Sequence, residues 1–390
     1  MTTKGTAASE VEQTYARARA LCAQVGETPQ LFPTLRGLWQ FYLSRGVLTT
    51  ARELGEQLDW LAQHTAEPTL RLEAHAALGQ TLLFLGEYTA SRWHLERIAL
   101  TAPTAQRALV LRHGEAPGVA CLVDVTLALW CLGFPAQAVR RSQEAQTQAQ
   151  ALAHPYSLAL AHLFAAYLHC RRREALAVQA QAETLLTLAT AHRFPLYVGF
   201  GACLQGWALA MQGQVEAGLT RLRQGLEAVL ATGQTLSRPF WLILLAEVAG
   251  RAGQLKEGFR RLTEALVALE ASGREDLRTE VYRLRGEFLL RQAVPDVTQA
   301  EACFQQALAI ARYQQARSWE LRAAISLARL WQQQGQHTAA RQLLAEIYGW
   351  FTEGFDTADL QEAKALLAEL VGGDTHQTAT APQSKATPTR

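Results

Sequence analysis

The chain has 390 residues, 49% of them hydrophobic and 18% charged, with 37 Lys and Arg against 35 Asp and Glu for a formal net charge of +2. That is enough apolar content for a large buried core, and too balanced a charge for a nucleic-acid binder acting through bulk electrostatics. Six scattered cysteines without a C-x-x-C pair exclude a disulfide framework or zinc site and fit free thiols.

Residues 1–10 are polar, lack the apolar region of a signal peptide, and are expected to be disordered in a cytoplasmic protein. No run of about 18 apolar residues predicts a membrane span. EQTYARARALCAQ (12–24) predicts a lone helix packing on the first helical hairpin. From residue 11 to residue 370 Ala, Leu, Gln, Glu and Arg dominate, all strong helix formers. Val, Ile and Thr are too scattered for sheet. A short turn recurs between helical stretches: SRGVLTTA (44–51), FLGEYTAS (84–91), CLGFPAQA (131–138), MQGQVEAG (211–218), RAGQLKEG (251–258) and QQGQHTAA (333–340). The glycines Gly46, Gly86, Gly133, Gly213, Gly253 and Gly335 are spaced by 40, 47, 80, 40 and 82 residues. Each long gap hides one degenerate turn, HCRRREAL (169–176) without glycine and RQAVPDVTQA (291–300) with a longer loop. The 47-residue spacing is assigned to an insertion at ALVLRHGEAPGVACL (108–122). TADLQEAKALLAEL (357–370) predicts a final covering helix with Thr357 or Asp356 as N-cap. The tail 371–390 has no apolar period and is expected to be disordered.

Within the repeats, small residues fall where two helices must touch. Gly79, Gly206 and Gly286 sit mid-way along first helices. Second helices carry Gly218, Leu222 and Gly225, then Gly258, Leu262 and Ala265, then Ala300, Phe304 and Ala307. Pro103 stands where such a hairpin ends. This resembles the tetratricopeptide repeat. It implies an all-α, right-handed α-solenoid of about eight helical hairpins, with a period of about 40 residues, over 11–370.

The segments TPQLFPTLRGLWQFYLSRGVLTTARELGEQL (28–58), EAHAALGQTLLFLGEYTASRWHLE (73–96), HPYSLALAHLFAAYLHCRRRE (154–174), SRPFWLILLAEVAGRAGQ (237–254) and YGWFTEGFDTADLQEAKALLAEL (348–370) resemble one bacterial family more specifically. These are multidomain signalling proteins that join a class III adenylate/guanylate cyclase, an AAA-type ATPase and a C-terminal tetratricopeptide array. Only the array is matched. No G-x-x-x-x-G-K-[ST] is present, nor a strand-rich cyclase region, so the family's catalytic functions do not carry over.

No catalytic, cofactor-binding or metal-binding residue is assigned. His162 and His169 lie two turns apart on one helix face, without the further ligands a metal needs. G-x-S-x-G and nucleophilic-cysteine motifs are absent. Arg171, Arg172 and Arg173, the basic triplet, are expected in a solvated turn, with an acidic partner or phosphate as the other reading.

In such arrays the first helices line a concave groove that takes peptide segments. Here the groove face is expected to show Trp130, Phe164, Tyr167, Phe200, Cys203, Trp207, Met211, Phe240 and Glu247, then a charged end with Arg251, Arg283, Glu287, Arg291, Arg322 and Arg329. That pattern suits an amphipathic partner segment with an acidic flank. Burial of the same aromatics as ordinary core stays open at this point. The Lys and Asn set of the chaperone-tail carboxylate clamp is not seen.

The expected function is a non-catalytic protein-interaction and regulatory module. The family resemblance implies a signalling ATPase or nucleotide cyclase as partner. A split-off C-terminal part of such a protein, and a small-ligand sensor of a transcription regulator, are the alternatives. No membrane or nucleic-acid partner is expected, and the oligomeric state is not legible.

Overall fold

The computed structural model describes residues 30–65, 67–99 and 116–378, together with Gln13, Thr14 and Arg17. Segment 1–10, most of the expected helix 12–24, Pro103 and the tail beyond 378 lie outside the described residues. The described residues form seventeen helices and no strand. Sixteen make eight hairpins: α1 (Leu31–Ser44) with α2 (Leu48–Gln63), α3 (Pro68–Phe84) with α4 (Tyr88–Ala99), α5 (Pro117–Cys131) with α6 (Pro135–Leu152), α7 (Pro155–Arg172) with α8 (Ala175–Ala191), α9 (Pro195–Met211) with α10 (Val215–Ala231), α11 (Arg238–Arg251) with α12 (Leu255–Ser272), α13 (Arg278–Leu290) with α14 (Val297–Tyr313), and α15 (Arg317–Gln333) with α16 (His337–Tyr348). The last, α17 (Ala358–Thr378), packs on α15 and α16. The protein is an α-solenoid of tetratricopeptide-like repeats.

Local chemistry sets the boundaries. Proline occupies the opening turn of α3, α5, α6, α7, α9 and α11, where its missing N–H costs nothing. All six recurrent turn glycines have positive φ, from +68° at Gly46 to +93° at Gly213. In the degenerate fourth hairpin Arg173 takes the same left-handed conformation, at φ +64°. Small residues let paired helices close. A Cβ on Gly286 would lie 2.5 Å from the Phe304 ring, and one on Gly206 would meet the Leu222 amide nitrogen at 2.6 Å.

First and second helices bury themselves differently. Several first helices are buried nearly all round: in α5 only Ala120 of the fifteen residues is not fully buried. The second helices bury a narrow stripe, such as Gly258, Leu262, Ala265 and Leu269 in α12. A helix that is apolar all round must be covered on both sides. Here the second cover comes from the flanking hairpins and, at the end of α5, from the next coil of the superhelix.

That coil closes at a constant offset. The amides of Thr235 and Leu236 donate to the Ser44 carbonyl, and those of Glu275 and Asp276 donate to the Phe84 carbonyl. The Tyr88 hydroxyl donates to the Asp276 carbonyl at 3.1 Å. Ser318 donates its hydroxyl hydrogen to the Trp130 carbonyl, 188 residues away. The turns of the first three hairpins thus each meet the start of a first helix five hairpins later. Glu353 completes the seam, its Oε1 accepting from the Ala136 and Gln137 amides, each at 3.0 Å, at the N-terminus of α6.

Three expectations change. Residues 117–122 are the opening turns of α5 rather than part of an insertion, and the rest of that segment, save Ala116, lies outside the described residues. The final helix runs to Thr378, eight residues into the stretch expected to be disordered. No proline interrupts it before Pro382, although Gly372 and Gly373 each weaken a helix interior by about 1 kcal/mol. The Thr357 hydroxyl donates to the Gly354 carbonyl at 2.8 Å, and Asp356 pairs with Arg172, so both side chains make their contacts away from the cap position.

Candidate functional site

The inner surface is largely filled. Trp130, Phe164 and Phe200 are 2%, 8% and 5% exposed. Phe200 stacks on Trp241 at 5.5 Å, and Tyr167 packs against Phe240 at 4.7 Å and Trp241 at 5.6 Å. Cys203 is wholly buried, its thiol on the Leu222 carbonyl at 3.7 Å. Trp130, Phe164, Tyr167, Phe200 and Cys203 are therefore core, not an open groove. The next coil covers Trp130 through Trp319, and their own and the adjacent hairpins cover the others.

Toward the C-terminal end the interior opens into a cavity of about 790 Å³. Its walls are the concave sides of five successive first helices, α7, α9, α11, α13 and α15, and α17 contributes Asp359 and Glu362. Of the fifteen residues expected on the groove face, ten line it: Trp207, Met211, Phe240, Glu247, Arg251, Arg283, Glu287, Arg291, Arg322 and Arg329. Its walls also carry Ile243, Leu244, Leu277, Leu284 and Ile325. The cavity is of the size of a ligand site, and its lining mixes apolar side chains with many charged ones.

Its charges are mostly paired. Arg283 grips Glu280 with Nε at 2.7 Å and Nη2 at 2.6 Å, and its Nη1 meets Glu287. Burial works to lower the Arg283 pKa, but Glu280 and Glu287 outweigh it and hold the pKa well above the ordinary value. Arg322 reaches Asp359 Oδ2 at 3.1 and 2.6 Å. Arg329 pairs with Glu362 at 2.9 Å. The Trp207 indole N–H donates to Glu247 at 2.9 Å, and Arg291 donates to the Gly250 carbonyl at 2.7 Å. Arg251 is exposed beside it, with no carboxylate partner among the described residues.

The basic triplet is not a solvated turn. Arg171 and Arg172 are 7% and 8% exposed. Arg172 pairs with Glu174 at 2.8 Å and Asp356 at 3.2 Å. Arg173 reaches Glu362 at 2.6 Å and Asp359 at 3.4 Å. The triplet docks the fourth hairpin onto the start of α17. Sequence reasoning missed this partner, although an acidic run 356–362 facing a basic triplet was a readable signal.

His162 and His169 have separate partners, Gln181 at 2.7 Å and Glu174 at 2.6 Å. Among the described residues, no group of three His, Cys, Asp or Glu could hold a metal. No described helix is long and apolar enough to cross a membrane.

No protein-family model and no curated protein matches the chain. Solved structures do. The fold is similar to that of a Rap protein complexed with competence and sporulation factor, with TM-score 0.55 and 11% identity over 90% of this chain and 99% of that one. It is also similar to a chain of the APC/C hetero-tetramer Cut9–Hcn1, with TM-score 0.54 and 13% identity over 94% of this chain and 60% of that one. At these identities the likeness is one of fold.

Proposed function

We propose that the chain is a non-catalytic regulatory module that binds a segment of a partner protein in the C-terminal cavity. The observation that carries this reading is the cavity itself, built from one side of five consecutive hairpins, with apolar side chains among buried ion pairs and the exposed arginines Arg251 and Arg291 at its mouth. Such a surface suits an amphipathic segment with an acidic flank. The similar Rap protein was solved with competence and sporulation factor bound, which supports a solenoid of this shape as a receptor. The family resemblance adds that the partner is a signalling ATPase or nucleotide cyclase, joined to such arrays in one polypeptide in the family's own members and acting on this chain as either the same or a separate polypeptide.

Affinity capture of the tagged chain from its own lysate, beside an Arg251→Glu/Arg291→Glu variant, tests this. Both arginines are exposed, so the fold is expected to persist. A signalling ATPase or cyclase captured by the wild type and lost by the variant is the expected result. Equal capture by both would move the interaction to the outer face.

The cavity volume, within the range of about 300–1,000 Å³ typical of small-molecule pockets, favours a second reading as a small-ligand sensor. A small-molecule ligand that raises the melting temperature without any partner protein would select it.

A further inference from the structure

Arginines and carboxylates face one another across the cavity. Arg173, Arg283, Arg322 and Arg329 hold carboxylates in the pairs described above. The other three cavity arginines do not, and they differ in depth. Arg251 and Arg291 stand at the exposed mouth. Arg171 lies inside, 7% exposed.

Arg171 is the unusual one. Its Nε and Nη1 are buried with no hydrogen-bond partner among the described residues. Its guanidinium carbon lies 5.8 Å from the centroid of the Trp130 ring, which also has Arg322 over it at 5.4 Å. Arg322 already spends its charge on Asp359, and it donates to the carbonyl of Arg171. The positive potential at Arg171 is therefore not cancelled by a neighbouring carboxylate. A buried donor left unmade is costly, and more so on a charged group. The arginines beside it in sequence, Arg172 and Arg173, both found carboxylates. Arg171, a residue of the cavity wall whose guanidinium lies beside Trp130, did not.

We propose that Arg171 anchors a carboxylate of the bound segment, an acidic side chain or a terminal carboxylate. A guanidinium N–H donates a charge-assisted hydrogen bond to an oxygen of such a group. Apolar side chains of the same segment would lie against Phe240, Leu244 and Leu277, and Arg251 and Arg291 would favour further acidic residues at the mouth. This inference rests on reading the cavity as a peptide site. It adds the chemistry of the ligand and the residue that selects it.

Thermal melting of the full chain tests it with three probes: acetyl-Leu-Glu-Leu-Leu-Glu-amide, the same peptide with glutamine in place of both glutamates, and glutarate. The expected result is that the glutamate peptide stabilises the wild type and binds roughly tenfold or more tighter than the glutamine peptide. Arg171→Met removes that preference. Without any probe it melts at or above the wild-type temperature, because it deletes an unpaired buried charge. Arg171→Gln serves as the second variant if Arg171→Met does not fold. Stabilisation by glutarate but by neither peptide upholds the carboxylate anchor and overturns the peptide reading. Equal affinity for the two peptides upholds the peptide reading and overturns the role of Arg171. No response to either carboxylate probe, or a large drop in melting temperature in both variants, overturns the inference.

Discussion

The indole rings of Trp130 and Trp319 meet edge to face with their centroids 4.8 Å apart. Trp130 ends the first helix of the third hairpin and Trp319 opens that of the eighth. Both are nearly inaccessible, at 2% and 3%. Trp130→Ala or Trp319→Ala is expected to cost about 3–5 kcal/mol of unfolding free energy. In a double-mutant cycle the pair should couple by about 0.5–1.5 kcal/mol beyond burial. Chemical denaturation of the four proteins measures this, and an additive pair would mean that the seam carries no specific ring contact.

Asp359 is the carboxylate on the Arg322 fork, and both residues are 8% exposed. Asp359→Ala leaves a buried guanidinium uncompensated and should destabilise by about 3–5 kcal/mol. Adding Arg322→Met should restore much of the loss, since the cost lies in the orphaned charge. A double variant no more stable than Asp359→Ala would contradict this.

Two glycines should fail for different reasons. Gly286→Ala drives a methyl into Phe304 and should cost about 1–3 kcal/mol. Gly213→Ala meets no atom within 4 Å but must hold φ near +93°, at about 1–2 kcal/mol. Phe304→Leu should offset part of the first loss and none of the second. Melting temperatures of the single and double variants decide it.

His75 and His94 share a close Nδ1 to Nδ1 contact of 2.9 Å, with Asp59 3.9 Å from His75. Burial, then the neighbouring His75, lower the His94 pKa to about 4, and Arg97 adds to this while Asp59 opposes it. Burial likewise lowers the His75 pKa, with Arg97 and Arg71 acting in the same sense and Asp59 against it. The folded chain thus binds fewer protons here than the unfolded chain between pH 6.5 and about 4. Stability from this site is full above pH 6.5 and declines as the pH falls toward 4. His94→Gln should flatten the dependence of melting temperature on pH across that window, and an unchanged slope would assign the titration elsewhere.

The hairpins were legible because their signals are local. A turn glycine and small residues at fixed offsets determine how two adjacent helices meet, and Gly286 against Phe304 follows from spacing alone. Even the degenerate fourth turn was placed, where Arg173 adopts the conformation glycine would have taken. The groove was only half legible. The C-terminal arginines line the cavity as their helical phase implies. Phe164, Tyr167 and Phe200 are buried by the hairpins next to them and Trp130 by the neighbouring coil, and no short-range pattern reports a contact such as that from Ser318 to Trp130 across 188 residues. Asp359 and Glu362 escaped for the same reason. Arg173, which pairs with both, lies in a turn read as solvated, and only the superhelical pitch brings the segments together.

The seam between coils also has a mechanical consequence. An open solenoid pulled from its ends lengthens like a slack spring, each repeat yielding only to its neighbours. Here Ser44, Phe84 and Trp130 are each bound by backbone or side-chain donors from the following coil, so the spring is wound tight, with its turns touching and bonded. Under tension those bonds must rupture before any extension begins. A force-extension trace should therefore start stiff and break at a discrete peak, and only afterwards show the soft, gradual stretching of a free coil.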